Sequence, residues 1–143
     1  MCGIAGQIGR DPRAIQGRYA AYCAMQRTLA RRGPDQRGMY ISGRAALIHA
    51  RLAVVDLENG CQPMQLEWQG ESYTVVYNGE LYNTPELRAL LERRGHTFTG
   101  RSDTEVLLHA YAEWGISCVE RFNGIFAFAV WAARAGTLFL ARD

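Results

Sequence analysis

The sequence begins Met1-Cys2-Gly3-Ile4-Ala5-Gly6, with a cysteine directly before a short apolar run. Residues 3–8 are predicted to form a strand. Removal of Met1 would leave a thiol and a free α-amine on Cys2. An α-amine titrates near ~7.7–8.0, so a fraction is neutral at cellular pH and can accept the thiol proton. This start therefore fits a cysteine nucleophile at the chain terminus, although any protein could begin in this way.

The periodicity of apolar residues predicts a layered α+β domain. Between residues 15 and 29, apolar side chains recur every three or four positions, which predicts one amphipathic helix ended by Gly33-Pro34. Strands are predicted at 39–41, 46–49, 52–55, 65–68, 73–77, 125–131 and 137–141, with a short helix around 119–122. Strands grouped in antiparallel hairpins, with helices between the groups, are typical of α+β domains.

Two further helices carry start and stop signals. Thr84 is predicted to cap the first of them, Pro85 suits its first position, and Gly95 suits the position past its end. Ser102-Asp103-Thr104-Glu105 fits a capping box that starts the second.

Composition excludes several functional classes. All 16 basic residues are arginine, so no lysine can bind phosphate in a Walker loop or form a Schiff base. The four cysteines form no C-x-x-C pair and no H-E-x-x-H occurs, so no metal site is expected. A net charge of +2 gives no reason to expect nucleic acid. No apolar run reaches the roughly 20 residues of a membrane span, and no secretory signal is recognisable, so a cytoplasmic location is expected.

Several sequence blocks occur in one order along the chain. They are Met1-Cys2-Gly3-Ile4-Ala5-Gly6, Arg32-Gly33-Pro34-Asp35, His49-Ala50-Arg51-Leu52-Ala53-Val54-Val55-Asp56, Tyr77-Asn78-Gly79-Glu80-Leu81-Tyr82-Asn83, Ser102-Asp103-Thr104-Glu105 and Phe122-Asn123-Gly124-Ile125-Phe126-Ala127-Phe128. Together they closely resemble the class II glutamine amidotransferase domain of glutamine-hydrolysing asparagine synthetases. The resemblance implies a four-layer αββα sandwich of two antiparallel sheets with an N-terminal nucleophile.

The resemblance also implies catalytic roles. Cys2 would attack the side-chain amide of glutamine, forming a γ-glutamyl thioester and releasing ammonia. The Asn78 side-chain amide and the Gly79 N–H would donate hydrogen bonds to the oxyanion of the tetrahedral intermediate. Glycine at position 79 would let the backbone come close to the ligand.

Substrate-binding roles follow from the same resemblance. The forked guanidinium of Arg51 suits the α-carboxylate of glutamine. Asp103 and Glu80 offer anions for its α-ammonium group. The segment from Leu52 to Val55 would line the same pocket. The contacts expected within that segment are Leu52, Val54 and Val55.

Each assignment has a structural alternative. Asn78-Gly79 is also a strong signal for a tight hairpin turn. Arg51 could be a solvated surface charge, the usual environment of arginine. Asp35 is interpreted as a turn or scaffold residue. A structural role is also expected for the three histidines, which the implied mechanism does not use: His49, His96 and His109.

The chain lacks the Ser-Gly-Gly-x-Asp-Ser loop with which the family's synthetase domain binds ATP. Residues 1–143 are therefore interpreted as the glutaminase domain, with the synthetase domain and the last strands of the sandwich missing. No cofactor is expected here, since ATP and Mg²⁺ would belong to the synthetase domain. Expected partners are glutamine and that domain, in cis or in trans, and a homodimer is left open. The competing hypothesis is a degenerate domain that binds glutamine without catalysis.

Overall fold

The computed structural model describes residues 2–53 and 60–143. Within them the elements follow one another as β1 (Gly3–Ile8), α1 (Pro12–Gln16), α2 (Tyr19–Leu29), β2 (Gln36–Ser42), β3 (Ala45–Arg51), β4 (Met64–Trp68), β5 (Glu71–Leu81), α3 (Thr84–Glu92), α4 (Asp103–Trp114), a 3₁₀ helix (Gly115–Arg121), β6 (Gly124–Ala132) and β7 (Thr137–Arg142). No helix of the described segments has the length and apolarity required to span a membrane.

The first sheet is antiparallel, with strand order β1-β3-β2. Every residue of the central strand β3 is buried, because the sheet is covered on both faces. On the outer face α1 and α2 pack through Ile15 and Tyr22 against Ala46 and Ile48. The register pairs Gly3 with Ala50, so the start of β1 lies beside the end of β3.

The second sheet is also antiparallel, with order β4-β5-β6-β7. Its outer face packs against α3 and α4 in a cluster that includes Val75, Leu107 and Phe128. Alternate residues point to opposite faces of a strand, so Val76 and Trp131 face inward, where a cluster with Leu47 joins the two sheets. The molecule is therefore the four-layer αββα sandwich that the sequence predicts.

The helix predicted between residues 15 and 29 is divided in two. The N–H of Gly17 donates to the carbonyl of Arg13 and closes α1 (2.9 Å), and Arg18 leaves the helical conformation at φ −100° and ψ 22°. The hydroxyl of Tyr22 then donates to the carbonyl of Ile15 (2.9 Å), which joins α2 to α1 across the break. Glycine is a weak helix former, and this tertiary contact outweighs the apolar periodicity.

Helix capping is partly as predicted. The Ser102 hydroxyl accepts from the N–H of Glu105 (3.2 Å), so α4 starts where the capping box predicts. The Glu105 carboxylate instead binds the preceding loop, accepting from the N–H groups of Thr99 and Gly100. The prediction that Thr84 caps α3 is wrong, because its hydroxyl donates to the Leu81 carbonyl (2.7 Å).

Asn78-Gly79 does not form a turn. Both residues lie inside β5, opposite Ala127 and Phe126 of β6, because the long pairing of these two strands overrides the local signal. The hairpin turn before β5 is Gln69-Gly70, where φ is 50° and 81°. The predicted strand at 52–55 is wrong for residues 52 and 53, which follow β3 outside any strand, and its remaining residues lie outside the described segments.

Candidate functional site

A cavity of about 420 Å³ lies where β1 begins, β3 ends, β5 passes beneath and α4 starts. It is lined by every described residue for which the sequence predicts a catalytic or binding role: Cys2, Arg51, Leu52, Asn78, Gly79, Glu80 and Asp103. Val54 and Val55, which were also predicted to contact glutamine, lie outside the described residues. Seven residues from four separate segments of the sequence thus meet at one site.

Cys2 is held at the edge of the cavity by its neighbours. It directly precedes β1, and its Sγ lies 3.8 Å from the carbonyl oxygen of Leu52. The carbonyl of Cys2 accepts a hydrogen bond from Nε of Arg32 (3.2 Å). Gly33 allows this segment to approach β3, since a Cβ there would lie 2.1 Å from the oxygen of Ala50. The role of Arg32 was not predicted from the sequence.

Arg51 is the last residue of β3 and is only 4% exposed. The alternative of a solvated surface charge is therefore wrong. Its Nη1 donates to Oε1 of Gln36, which faces it across the sheet (2.6 Å). Asp35 fixes the backbone at the end of β3. Its N–H donates to the Arg51 carbonyl (3.0 Å), and its carboxylate accepts from the N–H of Ala53 (2.7 Å). Asp35 thus has the scaffold geometry that the sequence suggests.

Asn78 and Gly79 lie on β5, where it packs tightly against β6. A Cβ on Gly79 would lie 2.2 Å from the carbonyl oxygen of Ile125, so only glycine fits without displacing a strand. By alternation, Asn78 shares the strand face of Val76, which packs toward the first sheet. The Asn78 amide therefore lies on the side from which Cys2 approaches.

The backbone N–H of Gly79 points away from β6. Phe126 faces Gly79 in the register but forms both of its backbone hydrogen bonds with Asp143. Its N–H donates to Oδ1 of Asp143, and its carbonyl accepts from the N–H of Asp143. Gly79 and Phe126 are therefore a non-hydrogen-bonded pair, and the N–H groups of Tyr77, Gly79 and Leu81 share the opposite side of β5. Two of them are anchored, since Tyr77 donates to Gln62 and Leu81 donates to Asp103. The Gly79 N–H lies between them, directed to the cavity side.

Asp103, the first residue of α4, is bound to β5 by two hydrogen bonds. Its Oδ2 accepts from the hydroxyl of Tyr77 (2.8 Å) and from the N–H of Leu81 (3.1 Å). Burial, and then the charge of Asp103, raises the pKa of Tyr77 above its ordinary value. The phenol therefore remains protonated and acts as a donor.

Gln62 is a buried cavity residue that the sequence analysis missed. Its Oε1 accepts from the N–H of Tyr77 (2.6 Å), and its Nε2 donates to the hydroxyl of Thr104 (3.1 Å). It therefore links β5 to the first turn of α4. No motif marks Gln62, because its importance arises from two contacts distant in sequence.

The described histidines lie outside the residues that line the cavity. His49 is fully buried between the sheets, and its Nε2 donates to the carbonyl of Tyr77 (3.2 Å). Burial lowers its pKa to about 4, so it is neutral near pH 7. His96 and His109 contact each other beneath Trp68, and burial lowers the pKa of His109 to about 4 as well. In residues 2–53 and 60–143 no group of three or more metal-ligating side chains is present.

Comparison with known proteins identifies the relatives of this chain. The glutamine amidotransferase domain family matches residues 1–143. The chain is 49% identical over 143 residues to asparagine synthetase [glutamine-hydrolyzing] 3 of Bacillus subtilis (strain 168), covering 100% of this chain and 23% of that protein. It is 38% identical to asparagine synthetase [glutamine-hydrolyzing] 1 of Arabidopsis thaliana, covering 100% and 24%. The chain thus spans about a quarter of the length of these relatives.

Solved structures show the same architecture. The glutamine phosphoribosylpyrophosphate amidotransferase of B. subtilis superimposes with a TM-score of 0.59 at 27% identity, over 72% of this chain and 24% of that one. A structure described as the allosteric regulatory enzyme of purine biosynthesis superimposes with a TM-score of 0.57 at 28% identity, also over 72% of this chain and 24% of that one. With the family match over all 143 residues, the chain belongs to the glutamine amidotransferase domain family.

Proposed function

We propose that this domain hydrolyses glutamine through Cys2 and supplies ammonia to an ATP-dependent synthetase domain that amidates aspartate. The observation that carries the glutaminase part is the single cavity lined by Cys2, Arg51, Asn78, Gly79 and Asp103. Those residues supply a nucleophile, oxyanion donors and charges for both ends of an amino acid.

The reaction begins on Cys2 after removal of Met1. The α-amine takes the thiol proton, directly or through one water, and Sγ attacks Cδ of the glutamine amide. The oxyanion of the tetrahedral intermediate accepts from the Asn78 amide and the Gly79 N–H. The ammonium that formed at the terminus protonates the leaving nitrogen, so ammonia departs and a γ-glutamyl thioester remains. Water then attacks the thioester, releasing glutamate and restoring the thiol.

Substrate recognition uses the two charged ends of glutamine. The buried Arg51 guanidinium pairs with the α-carboxylate, and Asp103 pairs with the α-ammonium group. Glu80 lies exposed at the cavity edge and adds negative potential beside the ammonium group. Burial strengthens the interaction of Arg51 because water screens it less. An amide without both charged groups binds less tightly.

The acceptor half of the reaction rests on the names of the relatives. Those proteins are called glutamine-hydrolysing asparagine synthetases, which suggests that the ammonia from this domain reaches aspartate. ATP and Mg²⁺ would serve that activation step in the synthetase domain, joined in cis or in trans. The glutaminase domain needs neither for its own chemistry.

Ammonia release from glutamine tests the proposal. The protein with Met1 removed is expected to release ammonia and glutamate in equal amounts. Cys2→Ala should abolish release while glutamine still binds, as measured by calorimetry. Cys23→Ala, a thiol outside the cavity, is the matched control and should retain activity. Glutamine binding without ammonia release from the unmodified protein would support the competing hypothesis of a non-catalytic glutamine-binding domain.

A further inference from the structure

The two oxygens of the Asp103 carboxylate have different environments. Oδ2 accepts from the Tyr77 hydroxyl and the Leu81 N–H, whereas no donor of the described segments bonds to Oδ1. Asp103 lines the cavity, which leaves Oδ1 as the carboxylate oxygen with which a ligand there would bond. The two donors to Oδ2 prevent the carboxyl group from rotating, and they set the direction in which Oδ1 can accept.

Tyr77 is itself held at each of its polar groups. Its N–H donates to the buried Gln62, its carbonyl accepts from the buried His49, and its hydroxyl donates to Asp103. The ring lies against Gly79, since a Cβ added there would come within 2.8 Å of it. Because each polar group of Tyr77 is already bonded, its side chain loses little rotational freedom when a ligand binds. It can therefore orient the Asp103 carboxylate before the ligand arrives.

We propose that Tyr77 is a positioning residue that orients Asp103 toward the α-ammonium group of glutamine, and so sets selectivity for amides that carry this group. The inference rests on the proposed glutaminase function and adds a residue to it. Tyr77 also lines the cavity, but its hydroxyl is bonded to the Asp103 carboxylate, so it acts on the ligand through that carboxylate. Loss of its hydroxyl therefore weakens binding of the ammonium group and leaves the chemical step unchanged.

Glutamine and 4-carbamoylbutanoate, the same molecule without the α-amine, provide the test. Ammonia release from both substrates is measured for the unmodified full-length gene product and for Tyr77→Phe. For glutamine we expect kcat/KM to fall about 3- to 10-fold, entirely through KM, which corresponds to one lost hydrogen bond. For 4-carbamoylbutanoate we expect no change, because it has no ammonium group. Tyr73→Phe, an exchange on the same strand outside the cavity, is the matched control and should alter neither substrate.

A double-mutant cycle tests whether Tyr77 acts through Asp103. In an Asp103→Asn background, Tyr77→Phe should add no further loss for glutamine, because the carboxylate that it orients is absent. If the phenylalanine variant does not fold, 4-fluorophenylalanine at position 77 fills the space of the hydroxyl without a donor and serves the same comparison.

If Tyr77→Phe lowered kcat/KM equally for both substrates, or left the ratio of the two kcat/KM values unchanged, the inference would be overturned and the glutaminase proposal would stay intact. Additive losses in the double variant would overturn it as well. If the unmodified protein hydrolyses neither substrate, the proposed function itself fails, and this result is distinct from the other two.

Discussion

Replacing Gly79 by alanine tests whether close packing of β5 on β6 positions the N–H that is proposed to bind the oxyanion. The added Cβ would lie 2.2 Å from the Ile125 carbonyl oxygen and 2.7 Å from Cα of Phe126. Both are backbone atoms, so no side-chain rotation relieves the clash. Restoring an ordinary contact of 3.4 Å requires β5 to move away from β6 by roughly 1 Å.

That displacement predicts two separate effects. A misplacement of about 1 Å in a catalytic group costs about 10²-fold in rate, so kcat for ammonia release should fall by about that factor. Overpacking typically costs about 1–3 kcal/mol, which leaves most of the ~5–15 kcal/mol stability of a typical domain. The variant should therefore remain folded in urea titrations while it loses activity.

Gly43→Ala is the control for stability loss alone. Gly43 lies in the turn between β2 and β3 at φ 54°, and a Cβ there would meet no atom within 4 Å. The left-handed conformation costs alanine about 1–2 kcal/mol, so this variant should be destabilised to a similar extent with kcat unchanged. An unaltered kcat in Gly79→Ala, or an equal loss of kcat in Gly43→Ala, would refute the reasoning.

Three further changes separate binding, catalysis and folding. Arg51→Ala should raise KM for glutamine by about 10- to 100-fold, the effect of one charge-assisted hydrogen bond, while the exposed Arg37→Ala on β2 should leave KM unchanged. An unaltered KM in Arg51→Ala would exclude its pairing with the α-carboxylate. Asn78→Ala should lower kcat by about 10²–10³, as expected for a lost oxyanion donor, and a change in KM alone would show that the oxyanion assignment is wrong. Burial lowers the pKa of His49 from 6.5 to about 4, so between these pH values the unfolded chain binds a proton that the folded protein does not. The free energy of unfolding should therefore fall as the pH drops through this range, by about 3 kcal/mol from this residue at pH 4. In urea titrations, the free energy of unfolding of His49→Asn should fall less steeply with decreasing pH than that of the unmodified protein. Parallel pH profiles of the two proteins would show that His49 is not the origin of the fall.

Most elements of the fold were predictable because their signals are local. Apolar alternation marks the strands, and the Ser102 cap follows from residue types next to one another. The break at Gly17 was missed because the contact between Tyr22 and Ile15 is tertiary. Asn78-Gly79 was ambiguous for the same reason, since its strand conformation depends on pairing with a segment some fifty residues later.

The candidate site was predictable to the extent that its residues belong to recognisable blocks. Every described residue with a predicted catalytic or substrate-binding role lines the cavity. The supporting contacts were not predictable, because Gln62 and Arg32 bond to residues far from them in sequence. The donor role of Tyr77 likewise depends on β5 and α4 lying side by side.

Covalent labelling tests the central claim, that Cys2 is the nucleophile, most directly. A glutamine analogue with an electrophilic carbon in place of the amide is incubated with the protein, and intact-mass and peptide analysis locate the adduct. We predict removal of Met1 and a single adduct on Cys2, with loss of ammonia release and protection by excess glutamine. Cys61 is exposed and reports non-specific alkylation, whereas burial raises the pKa of Cys118 to about 12 and leaves it inert. Adducts on Cys23 or Cys61 with Cys2 unmodified, or full activity after Cys2 is labelled, would contradict the account.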